Sequence, residues 1–355
     1  MEIDARFYIC ILAGGTGERF WPVSRKDKPK HLITLFGEAT LLEQAVRRAQ
    51  GVVPKEQILV LTNEDQLEET RRILPFLAPD QIVAEPEKRD TAPACALATA
   101  LARSKHPKAV LAVAPADALI HDGATYSKQL KEALLVAAEG EAFVTLAVHP
   151  IFPATGFGYL ELGEDVHAGT KGFHPVVHFV EKPTEEKARE YLATGRYGWN
   201  AGIFAWSVDY FVQEATRLAP ELADFVRNYP APGGDREVYL SRRFPALPKI
   251  SVDYALMEKA SRVLTTWARF DWDDVGAWTA LPAHFGRNGD GNTLQGKALV
   301  LEGSNNIVIS TGRTIALYGA SDLVVVETPD AILVCPRSKA QGVKKLQEFL
   351  PDGVK

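Results

Sequence analysis

The sequence is poor in the residues that staple a chain or anchor it. It holds three cysteines in 355 residues, Cys10, Cys95 and Cys335, each far from the others and in an apolar context. An odd number so spaced excludes a disulfide framework and a cysteine zinc site, and predicts core thiols in a reducing compartment. There is no basic-plus-apolar leader and no apolar run long enough to span a bilayer, so a soluble, cytoplasmic protein with no membrane partner is expected. Charge of one sign is also scarce. Forty Lys and Arg against 45 Asp and Glu leave a net charge of −5, which argues against nucleic acid as a partner. No low-complexity tract or internal repeat is visible. What remains is 46% hydrophobic. That is enough to bury a large core, expected as one large domain and a smaller one.

Residues 11–32, ILAGGTGERFWPVSRKDKPKHL, follow an apolar run that reads as a buried strand. Their glycines let backbone approach a ligand and present successive N–H groups. Two familiar signatures are missing. No Gly-Lys-Ser/Thr follows Gly14 as a Walker loop requires, and Phe20 stands where the dinucleotide fingerprint needs its third glycine. The glycines alone leave two readings open, a phosphate loop or a tight turn beside a solvated charged segment. Lys30, between the rigid Pro29 and the apolar 31–33 segment, tilts the balance towards a phosphate site at a strand's carboxyl end.

Strand and helix patterns then alternate. Thr40 followed by Glu43 is a capping-box pattern opening a helix that stops at Gly51. Strands are expected at 58–61, 81–84, 109–114 and 142–148, with helices at 65–77, from Asp90 to Arg103, and at 126–138. Such alternation predicts a parallel sheet covered on both faces. After Pro150 the texture changes to glycine, aromatics and short β runs, with helical patterns at 184–193 and 208–218. Gly286 to Asn292 reads as a boundary, followed by short β runs and a final helix over 340–350. Several strand ends deliver polar residues: Glu85 to Thr91, Pro115-Ala116-Asp117, and Glu181-Lys182-Pro183. One such aspartate alone reads best as a helix cap. Several facing one side of a sheet favour a site.

These segments resemble the sugar-1-phosphate nucleotidylyltransferases. LAGGTGERFWPVSRKDKPKHL is similar to that family's signature, and its Trp21 to Arg25 continuation resembles the guanylyl branch. EPEKRDTAPA, PAD, TGFGYLE, FVEKP, WNAGIF, SVDYALMEK and WDDVGAW match further motifs in order, over residues 11 to about 292. The resemblance implies an α/β fold: a Rossmann-like mixed, mostly parallel sheet flanked by helices, of the nucleotide-diphospho-sugar transferase type, with a small C-terminal β-rich domain. A catalytic domain is expected over 1–287, with a nucleotide half to about 150 and a sugar-phosphate half after it. A β-helix-like segment with a final helix is expected over 288–355.

The implied reaction joins GTP and mannose 1-phosphate to give GDP-mannose and pyrophosphate, assisted by Mg²⁺ or another divalent cation. The loop Leu12-Ala13-Gly14-Gly15-Thr16-Gly17 would hold the triphosphate, with Arg19 and Lys30 stabilising the leaving group. Asp117 and Asp274 would be the metal carboxylates. Glu85, Arg89, Asp90, Thr91 and Pro115 would form the base pocket, and Gly158, Glu181, Lys182, Asn200 and Asp253 the sugar-phosphate grip. Asp253 has a second reading, a helix cap with Tyr254, Leu256 and Met257 buried. Asp271-Trp272-Asp273 spells a glycosyltransferase metal motif, which the family match sets aside in favour of Asp274. Ala118 departs from the family, where a histidine is usual, as do Ala201 and Ala277, where Ser is common. Longer relatives carry an added isomerase domain, for which this length leaves no room, so a single activity is expected. The family also implies a homodimer. The alternatives are another nucleotide and hexose 1-phosphate pair, a glycosyltransferase, or a non-catalytic regulatory subunit.

Overall fold

Strand β1 (Phe7–Leu12) is an apolar run buried on both sides, as a central strand of a covered sheet must be. The computed structural model describes residues 4–15, 17–164, 172–231 and 233–354. After β1 come α1 (Leu41–Gln50), β2 (Ile58–Asn63), α2 (Leu67–Ile73), β3 (Ile82–Glu85), α3 (Thr91–Lys105), β4 (Val110–Pro115), α4 (Gly123–Ala137) and β5 (Phe143–Val148). Thr40 and Glu43 form the capping box of α1, and the Asp90 carboxylate caps α3. The middle of the chain adds β6 (Tyr159–Leu162), β7 (His174–Val180), α5 (Glu185–Thr194), β8 (Tyr197–Ser207), α6 (Val208–Leu218), α7 (Pro220–Asn228), α8 (Arg236–Arg243), β9 (Val263–Trp267) and α9 (Leu281–Phe285).

Among the described residues the main sheet runs β3-β2-β1-β4-β8-β5-β9-β7-β6. The β3-β2-β1-β4 stretch is parallel throughout. Strand β8 then inserts antiparallel between β4 and β5, and also pairs with β6. Alternate side chains of β1 feed two cores. Tyr8 and Cys10 join the alanine face of α3 with Phe211 and Phe225, while Ile9 and Ile11 join α1 and α4 through Val46, Leu130 and Leu134. The long β8 is not foreseen from the sequence. Gly198, Asn200 and Gly202 interrupt its apolar pattern, and such residues weaken a strand signal. Tyr254 is 44% exposed, not buried with Leu256 and Met257 as the sequence suggests.

Strands β10 (Thr293–Gln295), β12 (Ile307–Ser310), β14 (Leu323–Glu327) and β15 (Ile332–Pro336) form one small sheet, and β11 (Ala298–Leu301) pairs in parallel with β13 (Ile315–Tyr318). Successive parallel pairings make a β-helix-like coil, stitched inside by Asn306, whose amide nitrogen donates to Asn292 Oδ1 (3.0 Å). The last segment (Arg337–Glu348) is a 3₁₀ helix where an α-helix over 340–350 is expected from the sequence. Its buried residues Ala340 and Val343 are three apart, the period of a 3₁₀ helix. This coil shares one apolar cluster with segments that flank the main sheet: Phe20, Trp21, Val275 and Trp278 pack with Ile309, Val326, Ala340 and Val343.

Candidate active site

Two cavities open at the carboxyl ends of the parallel strands, and they meet at a pair of aspartates. The larger, about 470 Å³, is lined by the end of β1 and its loop (Leu12, Gly14, Gly15), the end of β3 and the segment after it (Glu85, Lys88, Asp90, Thr91), Pro115, Gly158, Glu181, Asn200 and Asp253. The smaller, about 260 Å³, is lined by Gly17, Arg19, Lys30, Gly276 and Lys344. Asp117 and Asp274 line both. Strand ends far apart in sequence therefore converge on one cleft, the usual place for ligands in an open α/β sheet.

Lys30 ties the two aspartate segments together. It is 5% exposed. Its Nζ lies 3.0 Å from Asp117 Oδ2 and donates to the carbonyls of Asp274 (2.6 Å) and Val275 (3.3 Å). Gly17, at φ +59, lets the glycine loop close against the Lys30 backbone; a Cβ there would come within 2.5 Å of the Lys30 backbone nitrogen. Burial alone would raise the Asp117 carboxyl, but the charge and hydrogen bond of Lys30 outweigh it and hold it below its ordinary value. Asp274 goes the other way. Burial pushes it up to about 6, Lys30 opposes, and the charges of Asp273 and Asp117 add to the rise. Its carboxylate has no hydrogen-bond partner among the described residues, and Gly276 leaves it room, since a Cβ there would lie 2.9 Å from Oδ2. Val275 beside it holds φ +44, a strained value for a β-branched residue. Two carboxylates facing one cavity, one without a partner, fit a divalent cation whose remaining positions take phosphate oxygen and water. Among the described residues no group of three or more His, Cys, Asp or Glu could hold a metal.

Asp271 and Asp273 are engaged elsewhere. The first accepts the backbone N–H groups of His121 and Asp122, and the second accepts that of Val275 and pairs with His284. Trp272 between them lines the larger cavity.

In the larger cavity, burial and then the Asp90 charge push Glu85 up to about 8, against the pull of Lys88. Asp253 is pushed up to about 7 by burial and then by Glu181, and it accepts from Asn200 Nδ2 at 3.1 Å. Thr91 Oγ1 accepts the N–H of Val252, so the start of α3 and the Asp253 segment are held as one wall. Two cations singled out in the sequence do not line the cavity. Arg89 donates to Glu87 (2.9 Å), and Lys182 Nζ pairs with Glu181 Oε1 (2.7 Å) at the rim. Ala13 is buried behind the loop, and Thr16 lies outside the described residues. Sequence reasoning misses Lys88, Phe157, Phe204 and Lys344 as lining residues. Lys88 sits inside the EPEKRDTAPA segment and is within reach of such reasoning.

A glycine-loop sheet with a two-carboxylate cleft defines a nucleotidyl transferase. A family model described as nucleotidyl transferase matches residues 9–285, and one described as mannoseP isomerase/GMP-like beta-helix domain matches 296–350. The chain is 35% identical to the mannose-1-phosphate guanylyltransferase of Escherichia coli over 345 residues, 96% of this chain and 73% of that protein. It is 35% identical to a xanthan biosynthesis protein of Xanthomonas campestris over 341 residues, 95% of this chain and 71% of that one. A solved structure described as mannose-1-phosphate geranyltransferase from Thermus thermophilus superposes with a TM-score of 0.87 at 35% identity, covering 97% of this chain and 99% of that chain. The chain belongs to the nucleotidyl transferase family, in its mannose-1-phosphate guanylyltransferase branch, and it is an enzyme.

Proposed function

We propose that the protein transfers GMP from GTP to mannose 1-phosphate, giving GDP-mannose and pyrophosphate. The observation that carries this is the pair Asp117 and Asp274, shared by a cavity fit for nucleotide and sugar and a second one fit for a polyphosphate. The guanine sits among Glu85, Asp90, Thr91 and Pro115. The triphosphate lies over Gly14, Gly15 and Gly17, whose loop presents amides, with Arg19 and Lys30 beyond. The sugar phosphate is gripped by Gly158, Glu181, Asn200 and Asp253, with Lys182 at the rim. On this reading the catalytic region, residues 1–287, has a nucleotide half to about 150 and a sugar-phosphate half after it.

Attack is in line. A phosphate oxygen of mannose 1-phosphate forms a bond to the α-phosphorus of GTP as the bond to the bridging α–β oxygen breaks. Pyrophosphate leaves with that electron pair. No protein nucleophile and no protein proton transfer are needed. Asp117 and Asp274 would hold Mg²⁺ or another divalent cation. When bound, that cation neutralises charge on the phosphates and stabilises the transition state. Lys30 holds the two aspartate segments at their working separation and adds positive potential beside the transferred group. Walls shaped by Thr91, Val252 and Trp272 orient the two substrates, so much of the rate comes from positioning. Asp271 and Asp273 are committed to backbone amides and His284, which leaves a glycosyltransferase reading without its metal ligands.

Incubation with GTP, Mg²⁺ and mannose 1-phosphate should release pyrophosphate and form GDP-mannose. A panel of other nucleotides and hexose 1-phosphates should give lower kcat/KM. Asp274→Asn should cut kcat at least ~10³-fold, the scale of losing a main electrostatic element, with the fold retained. No product with any pair would sink the reading, and near-normal turnover in the variant would move the metal elsewhere.

A further inference from the structure

The smaller cavity contains a cation that comes from the other end of the chain. Lys344 belongs to the C-terminal 3₁₀ helix, yet it lines the same cavity as Gly17, Arg19, Lys30 and the two aspartates. An exposed lysine near a cavity is ordinarily only a solvated surface residue. Three observations set this one apart. Its neighbour Val343 is 3% exposed, and it packs in the cluster that holds Phe20, Trp21, Val275 and Trp278. That burial fixes the backbone from which Lys344 projects. Two further contacts clamp the C-terminal segment to the glycine-loop region. Trp21 Nε1 donates to the Val354 carbonyl (2.7 Å), and Arg25 pairs with Asp330 (2.8 Å). Finally, Lys344 forms no ion pair or hydrogen bond with any described residue, although Glu18, Asp117 and Asp274 line the same cavity. Arg19 likewise has no hydrogen-bond partner there, while Lys30 is already committed to Asp117 and to two carbonyls. The cations left free to meet a polyanion in this cavity are therefore, among the described residues, Arg19 and Lys344.

We propose that Lys344 binds the β- and γ-phosphates of the nucleotide and the pyrophosphate they become, so that the C-terminal β-helix-like segment completes the leaving-group site. This rests on the reading above that the smaller cavity takes the pyrophosphate end of GTP. The chemistry asks for such a group. As the α–β bond breaks, negative charge accumulates on the departing pyrophosphate, and a point charge aimed there stabilises both the transition state and the bound product. Arg19 approaches from the glycine loop and Lys344 from the C-terminal helix. Between them they span the cavity as neither could alone. A segment that would otherwise serve only to pack against the catalytic domain thus contributes a binding residue to it.

The test uses full-length enzyme and inorganic pyrophosphate. Lys344→Ala should raise the Kd for pyrophosphate, measured by titration calorimetry without nucleotide, by about tenfold, the scale of one hydrogen bond to a charged group. The KM for pyrophosphate in the reverse reaction should rise similarly, while the KM for mannose 1-phosphate stays within about twofold. Lys344→Arg should restore most of the affinity. Lys345→Ala, which alters the adjacent lysine outside the cavity lining, should behave as wild type. Pyrophosphate affinity and reverse KM unchanged in Lys344→Ala, or equally weakened in Lys345→Ala, would overturn the proposal and leave the proposed reaction standing. Lys344-dependent pyrophosphate binding by a wild type that forms no nucleotide sugar would instead sink the reaction and keep the anion site.

Discussion

Asp253 shows what the cleft does to a single carboxyl. Burial and then the Glu181 charge push it up to about 7, with Lys182 opposing. An aspartate in the unfolded chain titrates near 4. The folded protein therefore holds this proton more tightly than the unfolded one. The group's contribution to stability is full below about pH 4 and is lost as pH rises through about 7. Asp253→Asn removes the ionisation and keeps an acceptor for Asn200. Thermal denaturation should show the variant and the wild type together near pH 4.5. The variant should pull ahead as pH rises to 8, by on the order of 2 kcal/mol once screening by cleft water is allowed for. A gap that does not grow with pH would mean that the carboxylate is comfortable where it stands. The sequence marks Asp253 as polar and near a helix start, but its burial depends on β8 and on the Glu181 segment, both remote. Arg89 and Lys182 are the opposite case. Their neighbours Glu87 and Glu181 are visible in the sequence, yet which way each side chain turns is set by local geometry that residue type does not encode. That Gly17, Lys30, Asp117 and Asp274 share one cavity is foreseeable because each sits at a strand end or in a loop.

At the scale of elements, the C-terminal coil is held by a carboxylate used as a staple. Glu327, at the end of β14, is 2% exposed and accepts the backbone N–H groups of Thr311, Gly312 and Arg313 through one oxygen. The turn after β12 forms a cradle for an anion, and the chain supplies its own. Burial would raise this carboxyl, but those three N–H groups outweigh it and hold it below its ordinary value. Its contribution is therefore present above the unfolded glutamate pKa, near 4.3, and is lost as pH falls below it. Glu327→Gln replaces the anion with a weaker neutral acceptor. The variant should melt several degrees below wild type at pH 7. The difference should shrink towards pH 4, as the wild-type carboxylate itself takes up a proton. A pH-independent difference would mean that lost packing, not lost charge, is responsible. Elements with local signatures read well from the sequence. The capping box at Thr40 and the Asp90 cap of α3 stand where residue pattern alone puts them. Strand β8 cannot be read so, because its stability comes from β4, β5 and β6 on its two edges and not from its own alternation.

For the molecule as a whole, the exposed apolar face of the β11–β13 pair carries a prediction about assembly. The β11–β13 pair aligns Leu299 with Ala316 and Leu301 with Tyr318. Leu299, Leu301 and Tyr318 are 60%, 58% and 72% exposed. A contiguous apolar face of this kind marks an interaction site more often than free surface. We propose a second copy of this chain as its occupant. Leucine and tyrosine side chains can pack against their own copies, and a two-fold axis needs a self-complementary patch. The homodimer expected from the family resemblance is then built on this sheet face. Light scattering after gel filtration should give twice the chain mass for the wild type and a single chain mass for the double variant Leu299→Glu, Leu301→Glu. Turnover at saturating substrate should stay within about twofold, because neither residue lines either cavity. A double variant that remains dimeric would place the contact elsewhere. A monomer that has also lost activity would mean that assembly, through the shared core of Trp21, Val275 and Val343, reaches the glycine loop itself.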